Sequence, residues 1–281
     1  MRAAATSVMG TPGKTIRPIA YLSAPAPVSM AQHWFKIASA DHFWVRRRFA
    51  VLEKLAGHRI LSARELAEVG CGNGLLQKQV EDAYGREVWG FDLNESALKQ
   101  NVSCLSKLCC YDILQRDAPL HGRFDVIFLF DVLEHICDET SFLQALLFHL
   151  SHPGSLVINV PAGEWAHSSY DDAAGHVRRY SIRTLRRVLD TNGLALKAWT
   201  YWGLPLVLPL ILRKLWLLGK KDQSEIITAG FDPRSKAVNT MMGILSRLEW
   251  IPQKFLGTSL MATCERADHG TLSSFGKTSG V

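Results

Sequence analysis

Three glycines at alternate positions, Gly70, Gly72 and Gly74, lie in the stretch "LAEVGCGNGLLQKQVEDAYGREVWGFDLN" (Leu66 to Asn94). Glu68 stands just before them and Asp92 twenty residues past Gly72. Glycine lets a chain turn sharply from strand to helix and bring its backbone against a ligand, because no Cβ intervenes. The N-terminus of the following helix then offers free N–H groups to an anion. An acid ending the next strand stands where it accepts hydrogen bonds from ribose hydroxyls. The chemistry implied is the binding of a nucleotide-containing cofactor. A dinucleotide site needs G-x-G-x-x-G and would put its third glycine at 75, where this chain has Leu75. Glu68 would repel a pyrophosphate but pairs by charge with an ammonium or sulfonium group. A nicotinamide dinucleotide is therefore disfavoured and a cofactor carrying an ammonium or sulfonium group favoured, although Glu68 alone would pass for an ordinary solvated carboxylate.

Two histidines can move a proton near such a site. His135, in "DVLEHI", follows the fourth strand, where the reactive end of a bound cofactor belongs; its plainer reading is a histidine that packs the loop. The second cluster is "YDDAAGHVRRYS", Tyr170 to Ser181, after the fifth strand. Loops at that edge face the substrate in doubly wound sheets, so His176, Arg179, Tyr180 and Tyr170 are candidates for base, anion clamp and walls. The plainer reading pairs Arg178 and Arg179 with Asp171 and Asp172 to order the loop. No metal ligands are assigned, since the six cysteines form no CxxC pair and have no zinc or disulfide spacing.

The elements that must position these residues alternate. Strands are expected over 65–70, 87–92, 107–112, 124–131, 154–161 and the run ending at Trp202, with helices between them. The apolar run "FDVIFLFD" suits the buried centre of a parallel sheet. Gly85 and Gly193 close two of the helices, and Asn94 and Ser181 cap two. Such alternation implies a doubly wound α/β sheet with right-handed crossovers. Residues 31–57 read as one or two helices, with Asp41 as N-cap of the second, and 258–267 as a closing strand. Cys109 and Cys110, adjacent on a strand, point to opposite faces and leave open a reactive thiolate.

In this order and spacing, "EVGCGNG", Asp92, "YDIL" and "FDVIFLFDVLEHI" resemble the signature segments of the class I S-adenosylmethionine-dependent methyltransferases. The resemblance covers residues 31 to 202 and the last strand. It implies a Rossmann-like seven-stranded sheet with an antiparallel last strand, an N-terminal helical cap (31–57) and a helical insertion (203–257). It also implies that Glu68, Gly70, Cys71, Gly72, Asn73 and Gly74 line the methionine part of S-adenosyl-L-methionine. Asp92 would bind the ribose and Leu93 pack on the adenine. Asp112 would bond the adenine amino group with Ile113 beside it, and Phe130, Asp131 and Leu133 would close the far side. "GHVRRY" resembles a substrate-side segment of such enzymes, and "DHFWVRRRF" their cofactor-covering helix. One of Arg46, Arg47 and Arg48 would reach a carboxylate, the other two being solvated.

Composition sets the outer limits. The chain has 281 residues, 47% hydrophobic and 21% charged, enough for one large α/β domain. A net charge of +6 with scattered basic residues gives no nucleic-acid footprint. Residues 1–30 lack acids and read as a flexible leader rather than a transit peptide, and 268–281 as a flexible tail. No apolar run reaches the roughly 18 residues of a spanning helix. The segment "YWGLPLVLPLILRKLWLLGKK" instead suits either a lid over the substrate or an interfacial helix at 203–221. Both imply a hydrophobic small-molecule or lipid-like acceptor; separately, the expected reaction is methyl transfer to oxygen, by a cytoplasmic protein that can attach peripherally to a membrane. A protein or RNA methyltransferase and a non-catalytic cofactor-binding scaffold are the alternatives; the apolar insertion argues against the first and the intact glycine loop against the second.

Overall fold

Phe124–Phe130 is buried along almost its whole length, and a strand with both faces covered can sit only at the middle of a sheet. In the computed structural model, which describes residues 18–28, 39–217, 226 and 235–267, this strand is β5 of an eight-stranded sheet. The others are β1 (Ile19–Tyr21), β2 (Leu66–Val69), β3 (Trp89–Asp92), β4 (Leu108–Cys110), β6 (Leu150–Pro161), β7 (Leu194–Trp202) and β8 (Ser259–Arg266). Their order is β1-β4-β3-β2-β5-β6-β8-β7. Strands β1 to β6 run parallel, and β8 is antiparallel to β6 and β7. The chain reverses its direction of travel across the sheet between β2 and β5, so the crevice for ligands opens at their carboxyl ends.

The seven expected strands are present, and β1 is an addition. Ile19–Tyr21 falls inside the segment read as a leader, too short to show a period of its own. It forms because β4 would otherwise expose an edge: Ile19, Ala20 and Tyr21 register with Leu108, Cys109 and Cys110, and Leu22 and Ser23 donate to the Cys110 carbonyl. Residues 1–17 and 29–30 of the leader, 31–38 of the cap and the 268–281 tail lie outside the described residues.

Helices cover both faces of the sheet. They are α1 (Phe43–Ser62), α2 (Leu75–Tyr84), α3 (Glu95–Lys99), α4 (Glu139–His149), α5 (Ser169–Ala174), α6 (Ile182–Thr191), α7 (Val207–Trp216) and α8 (Lys236–Leu245). Helix α1 buries Val51, Leu52, Ala56 and Ile60 with Phe128, Val157 and Trp202, while α4 and α6 cover the other face with Leu143, Leu146, Leu185 and Leu189. Its N-cap is His42, whose Nδ1 accepts from the Trp44 N–H at 3.2 Å; the expected cap, Asp41, instead faces Arg46 at 3.6 Å. All six cysteines are free thiols. Burial pushes the Cys109 thiol up to about 11 and raises Cys110 as well, which removes the reactive-thiolate reading.

One polar chain crosses this core. Trp202 donates through Nε1 to Asn159 Oδ1 at 2.8 Å, and Asn159 Nδ2 donates to Asp131 Oδ1 at 2.8 Å, with both Trp202 and Asn159 fully buried. Trp202→Phe keeps most of the volume but strands the Asn159 carbonyl oxygen. It is expected to lower unfolding stability by about 1–3 kcal/mol, read from urea denaturation.

Candidate active site

The turn after β2 is built as its glycines require. Gly70, Gly72 and Gly74 have φ of 74°, 54° and 77°, a region closed to most side chains. A Cβ on Gly70 would overlap the Val132 side chain, and one on Gly74 would overlap Asn101, which is held by Gln77 at 2.8 Å. The loop therefore lies directly on the segment that follows β5. The Gly72 N–H donates to Asp92 Oδ2 at 2.7 Å, and Asp92 Oδ1 accepts from the Asn94 N–H at 2.7 Å. Each Asp92 oxygen keeps acceptor capacity for a ribose hydroxyl. Burial raises the Asp92 carboxyl, opposed by these N–H donors.

Glu68 ends inside the protein, 4% exposed, and its Oε2 has no hydrogen-bond partner among the described residues. Burial pushes it up to about 8, against the opposing pull of Arg48 and with Asp92 and Asp131 adding to the rise. A buried carboxyl with an open oxygen is a fitted receptor for a cationic ammonium, so the residues present suit the methionine end of S-adenosylmethionine. Arg48 reaches the same neighbourhood from α1. It pairs with Asp131 at 2.5 Å and lies over the Trp44 and Phe130 rings at 4.9 and 5.1 Å. Arg47 is also buried and pairs with Glu249 at 3.0 Å. Only Arg46 stays exposed, where two of the three arginines were expected to be solvated. Arg47 and Arg48 precede the buried Val51 and Leu52 by one helical turn, which turns them inward.

The remaining cofactor candidates gather at the carboxyl ends of β3, β4 and β5. Leu93 is half-buried, and its carbonyl accepts from the Ala26 N–H at 3.2 Å. The Asp112 carboxylate caps Leu114 at 3.0 Å, and the Asp112 N–H donates to Ser23 Oγ at 2.8 Å. Ile113, Phe130, Leu133, Cys71 and Asn73 are buried around them, and burial raises the Cys71 thiol well above its ordinary value. Asp131 adopts φ of 57°, held there by the Arg48 ion pair and by its own N–H to the Asn159 carbonyl at 2.9 Å. Asn159 and Trp202, which complete this support, carry no motif in the sequence.

The two histidines converge. Their rings meet edge to face with centroids 4.9 Å apart. His176 Nδ1 lies 2.9 Å from Asp171 Oδ1, which fixes its Nε2 as the accepting nitrogen, and Arg179 Nε donates to the same oxygen at 2.8 Å. Burial alone would raise Asp171, but the His176 hydrogen bond and the Arg179 charge outweigh it and hold the carboxylate well below its usual range. His135 Nδ1 is 3.0 Å from the Gly175 carbonyl; burial and the charge of His176 push it down to about 4. Glu134 is buried and raised well above the ordinary carboxyl value by burial and by Asp131. Glu134, His135 and His176 bring three ligand-type atoms within 4.8 Å of one another, a cluster that sequence spacing did not anticipate.

The substrate-side candidates divide. Tyr170 is buried under the Arg213 guanidinium at 4.1 Å, between α5 and α7. Tyr180 is 1% exposed and donates to Glu139 Oε1 at 2.6 Å and the Leu133 carbonyl at 3.2 Å, tying its loop to α4. Arg179 does pair with Asp171, as the loop-ordering reading has it, whereas Arg178 pairs with Glu139 at 2.7 Å instead of with Asp172. Asp171, the hub of the cluster, entered the sequence reading only as a pairing partner. Its five-residue lead over His176 across the helix-ending Gly175 was the available signal.

Residues 40–198 match a family model described as a methyltransferase domain. A probable S-adenosylmethionine-dependent methyltransferase of Mycolicibacterium smegmatis is 26% identical over 156 residues, 54% of this chain and 60% of that protein. A ubiquinone biosynthesis O-methyltransferase of Methylococcus capsulatus is 28% identical over 114 residues, 38% of this chain and 46% of the relative. The match thus spans less than two thirds of the length of either relative. A SAM-dependent methyltransferase structure from Archaeoglobus fulgidus superposes with a TM-score of 0.50 at 17% identity, covering 78% of this chain and 94% of that one.

Two measurements test the donor pocket. Asp92→Ala should weaken S-adenosylmethionine binding by about tenfold or more in calorimetry, the loss of charge-assisted hydrogen bonds. Affinity should rise between pH 6 and 8 as Glu68 ionises to meet the ammonium, and Glu68→Gln should flatten that slope.

Proposed function

The chain belongs to the class I S-adenosylmethionine-dependent methyltransferase family, and on that premise we propose that it methylates an oxygen of a hydrophobic small-molecule or lipid-like acceptor. The observation that carries this reading is the His176 imidazole aligned by Asp171 beside the glycine loop's facing segment. S-adenosylmethionine supplies an activated methyl group on a sulfonium. The protein's task is then alignment, which can contribute on the order of 7–11 kcal/mol.

Glu68 receives the ammonium of the donor and Asp92 its ribose hydroxyls; Asp112 and Leu93 hold the adenine side. Oxygen needs its proton removed as it attacks, and His176 Nε2 is the acceptor. Asp171 keeps the proton on Nδ1 and steadies the imidazolium that forms. Arg179, bound to Asp171 and to the Ala162 carbonyl at 3.0 Å, fixes the carboxylate in turn. His135 stays neutral at physiological pH and packs the other side of the pair. The related ubiquinone O-methyltransferase of Methylococcus capsulatus supports oxygen as the acceptor atom.

Helix α7 supports a hydrophobic acceptor. Its inner side sets Arg213 on Tyr170, and the Leu217 that ends it is buried with Tyr170 and Ala173. It therefore roofs the loop that carries Asp171 and His176, which is what a lid does. Its outer residues Leu208, Leu212, Leu215 and Trp216 are exposed, which fits peripheral contact of a cytoplasmic protein with a membrane through 203–221; residues 218–221 lie outside the described part.

His176→Ala should lower turnover by roughly 10²-fold or more while donor affinity stays within about twofold. Mass spectrometry of cell extract incubated with enzyme and isotopically labelled donor identifies the acceptor. Full activity in His176→Ala, or label on nitrogen or carbon, would overturn the assignment.

A further inference from the structure

We propose that α7, α8 and the turn at 248–256 form a single docking face for an anionic lipid surface, with Trp250 and Phe255 as its interfacial anchors. The exposures are the first ground. Trp250 is 84% exposed, Phe255 87% and Leu248 73%, on a chain whose other tryptophans are at most half exposed among the described residues. Helix α8 buries none of its residues, and Met241 and Ile244 are exposed on its outside, with Leu248 exposed in the turn that follows. Helix α7 presents Leu208, Leu212 and Leu215 in the same way.

The second ground is that these pieces share one root. The Glu249 carboxylate accepts from the Gly203 N–H at 2.8 Å and the Leu204 N–H at 2.9 Å, while Arg47 pairs with it from α1. The residue that precedes Trp250 thereby fastens the turn to the base of α7. Asn239 of α8 is bonded in turn to Phe43 and Asp41 at the start of α1. Two apolar helices and an aromatic turn are held together by a shared polar frame, and their outer sides are exposed among the described residues.

Charge selects the occupant. Lys236 and Arg247 are exposed at the start of α8 and just past its end, whereas Lys254 is turned onto the Trp199 ring at 3.7 Å. Glu249 is the one carboxylate among the described residues from 203 to 256, and it is buried and neutralised by Arg47. A second copy of the chain would bring the same cations against these, whereas anionic headgroups complement them, and apolar and aromatic side chains between cations are what an interfacial surface requires. No helix among the described residues is long and apolar enough to cross a membrane, so the protein would rest on the surface. The inference goes beyond the proposed methyl transfer and stands whatever the acceptor is.

The test is flotation of the full chain with vesicles of phosphatidylcholine alone, or containing about 30% phosphatidylglycerol. The wild-type protein should float with the anionic vesicles, about tenfold less with the neutral ones, and less at high salt. Trp250→Ser with Phe255→Ser should cut partition by roughly tenfold or more. The exposed Leu61→Ser on α1 should not. Circular dichroism and donor affinity, measured on every variant, separate loss of docking from loss of fold or of the donor site. Absence of wild-type flotation, or equal flotation by the double variant, would overturn the proposal. So would a wild-type dimer in light scattering that the double variant converts to monomer, since the occupant would then be a second copy.

Discussion

Charge buried at the carboxyl edge of the sheet is the constraint on which the rest of the architecture turns. Arg48 and Asp131 meet at 2.5 Å with water largely excluded, and separating such a pair leaves a desolvated charge at a cost of about 3–5 kcal/mol. Asp131 sits in a left-handed backbone conformation that costs an ordinary residue of order 1 kcal/mol, and Asn159 bonds both its main chain and its carboxylate. Trp202 then holds Asn159, and Trp44 stacks beside Trp202 at 5.5 Å while lying under Arg48. Helix α1, β5, β6 and β7 are therefore locked at one point. That point adjoins Glu68, the residue proposed to receive the donor's ammonium, so packing and the proposed binding draw on the same few residues.

The carboxyl groups of the site are sorted by their surroundings. Glu68 and Glu134 are pushed up by burial without full compensation, whereas Asp171 is held down because His176 and Arg179 outweigh its burial. A neutral acid can wait for a cation, and a fixed anion can orient an imidazole. The same residue type thus serves two roles a short distance apart, and local partners decide which.

The α/β alternation, the buried β5 and the glycine turn were legible in the sequence because each depends on local pattern. Gly70 is required by its own φ and by Val132, whose place after β5 was itself readable. Helix limits drifted where caps decided them: His42 displaced Asp41, and the helix expected from Asn94 shrank to Glu95–Lys99. What could not be read was long-range pairing. Arg48 finds Asp131 across 83 residues and Arg47 finds Glu249 across 202, so a basic run that looked solvated turned inward. Strand β1 escaped notice for the same reason, since three residues become a strand only when β4 offers an edge.

That edge strand also bears on the order of events during turnover. Residues 22–26 run on from β1 across the strand ends, where Ser23 meets Asp112 and Ala26 meets the Leu93 carbonyl, the two positions assigned to the adenine. Helix α7 packs elsewhere, with Arg213 over the Tyr170 ring. If the adenine lies at the strand ends as proposed, this short, exposed strap would have to lift from them for donor and spent donor to exchange. The pairing of three residues along β4 would then set how readily the donor site reopens.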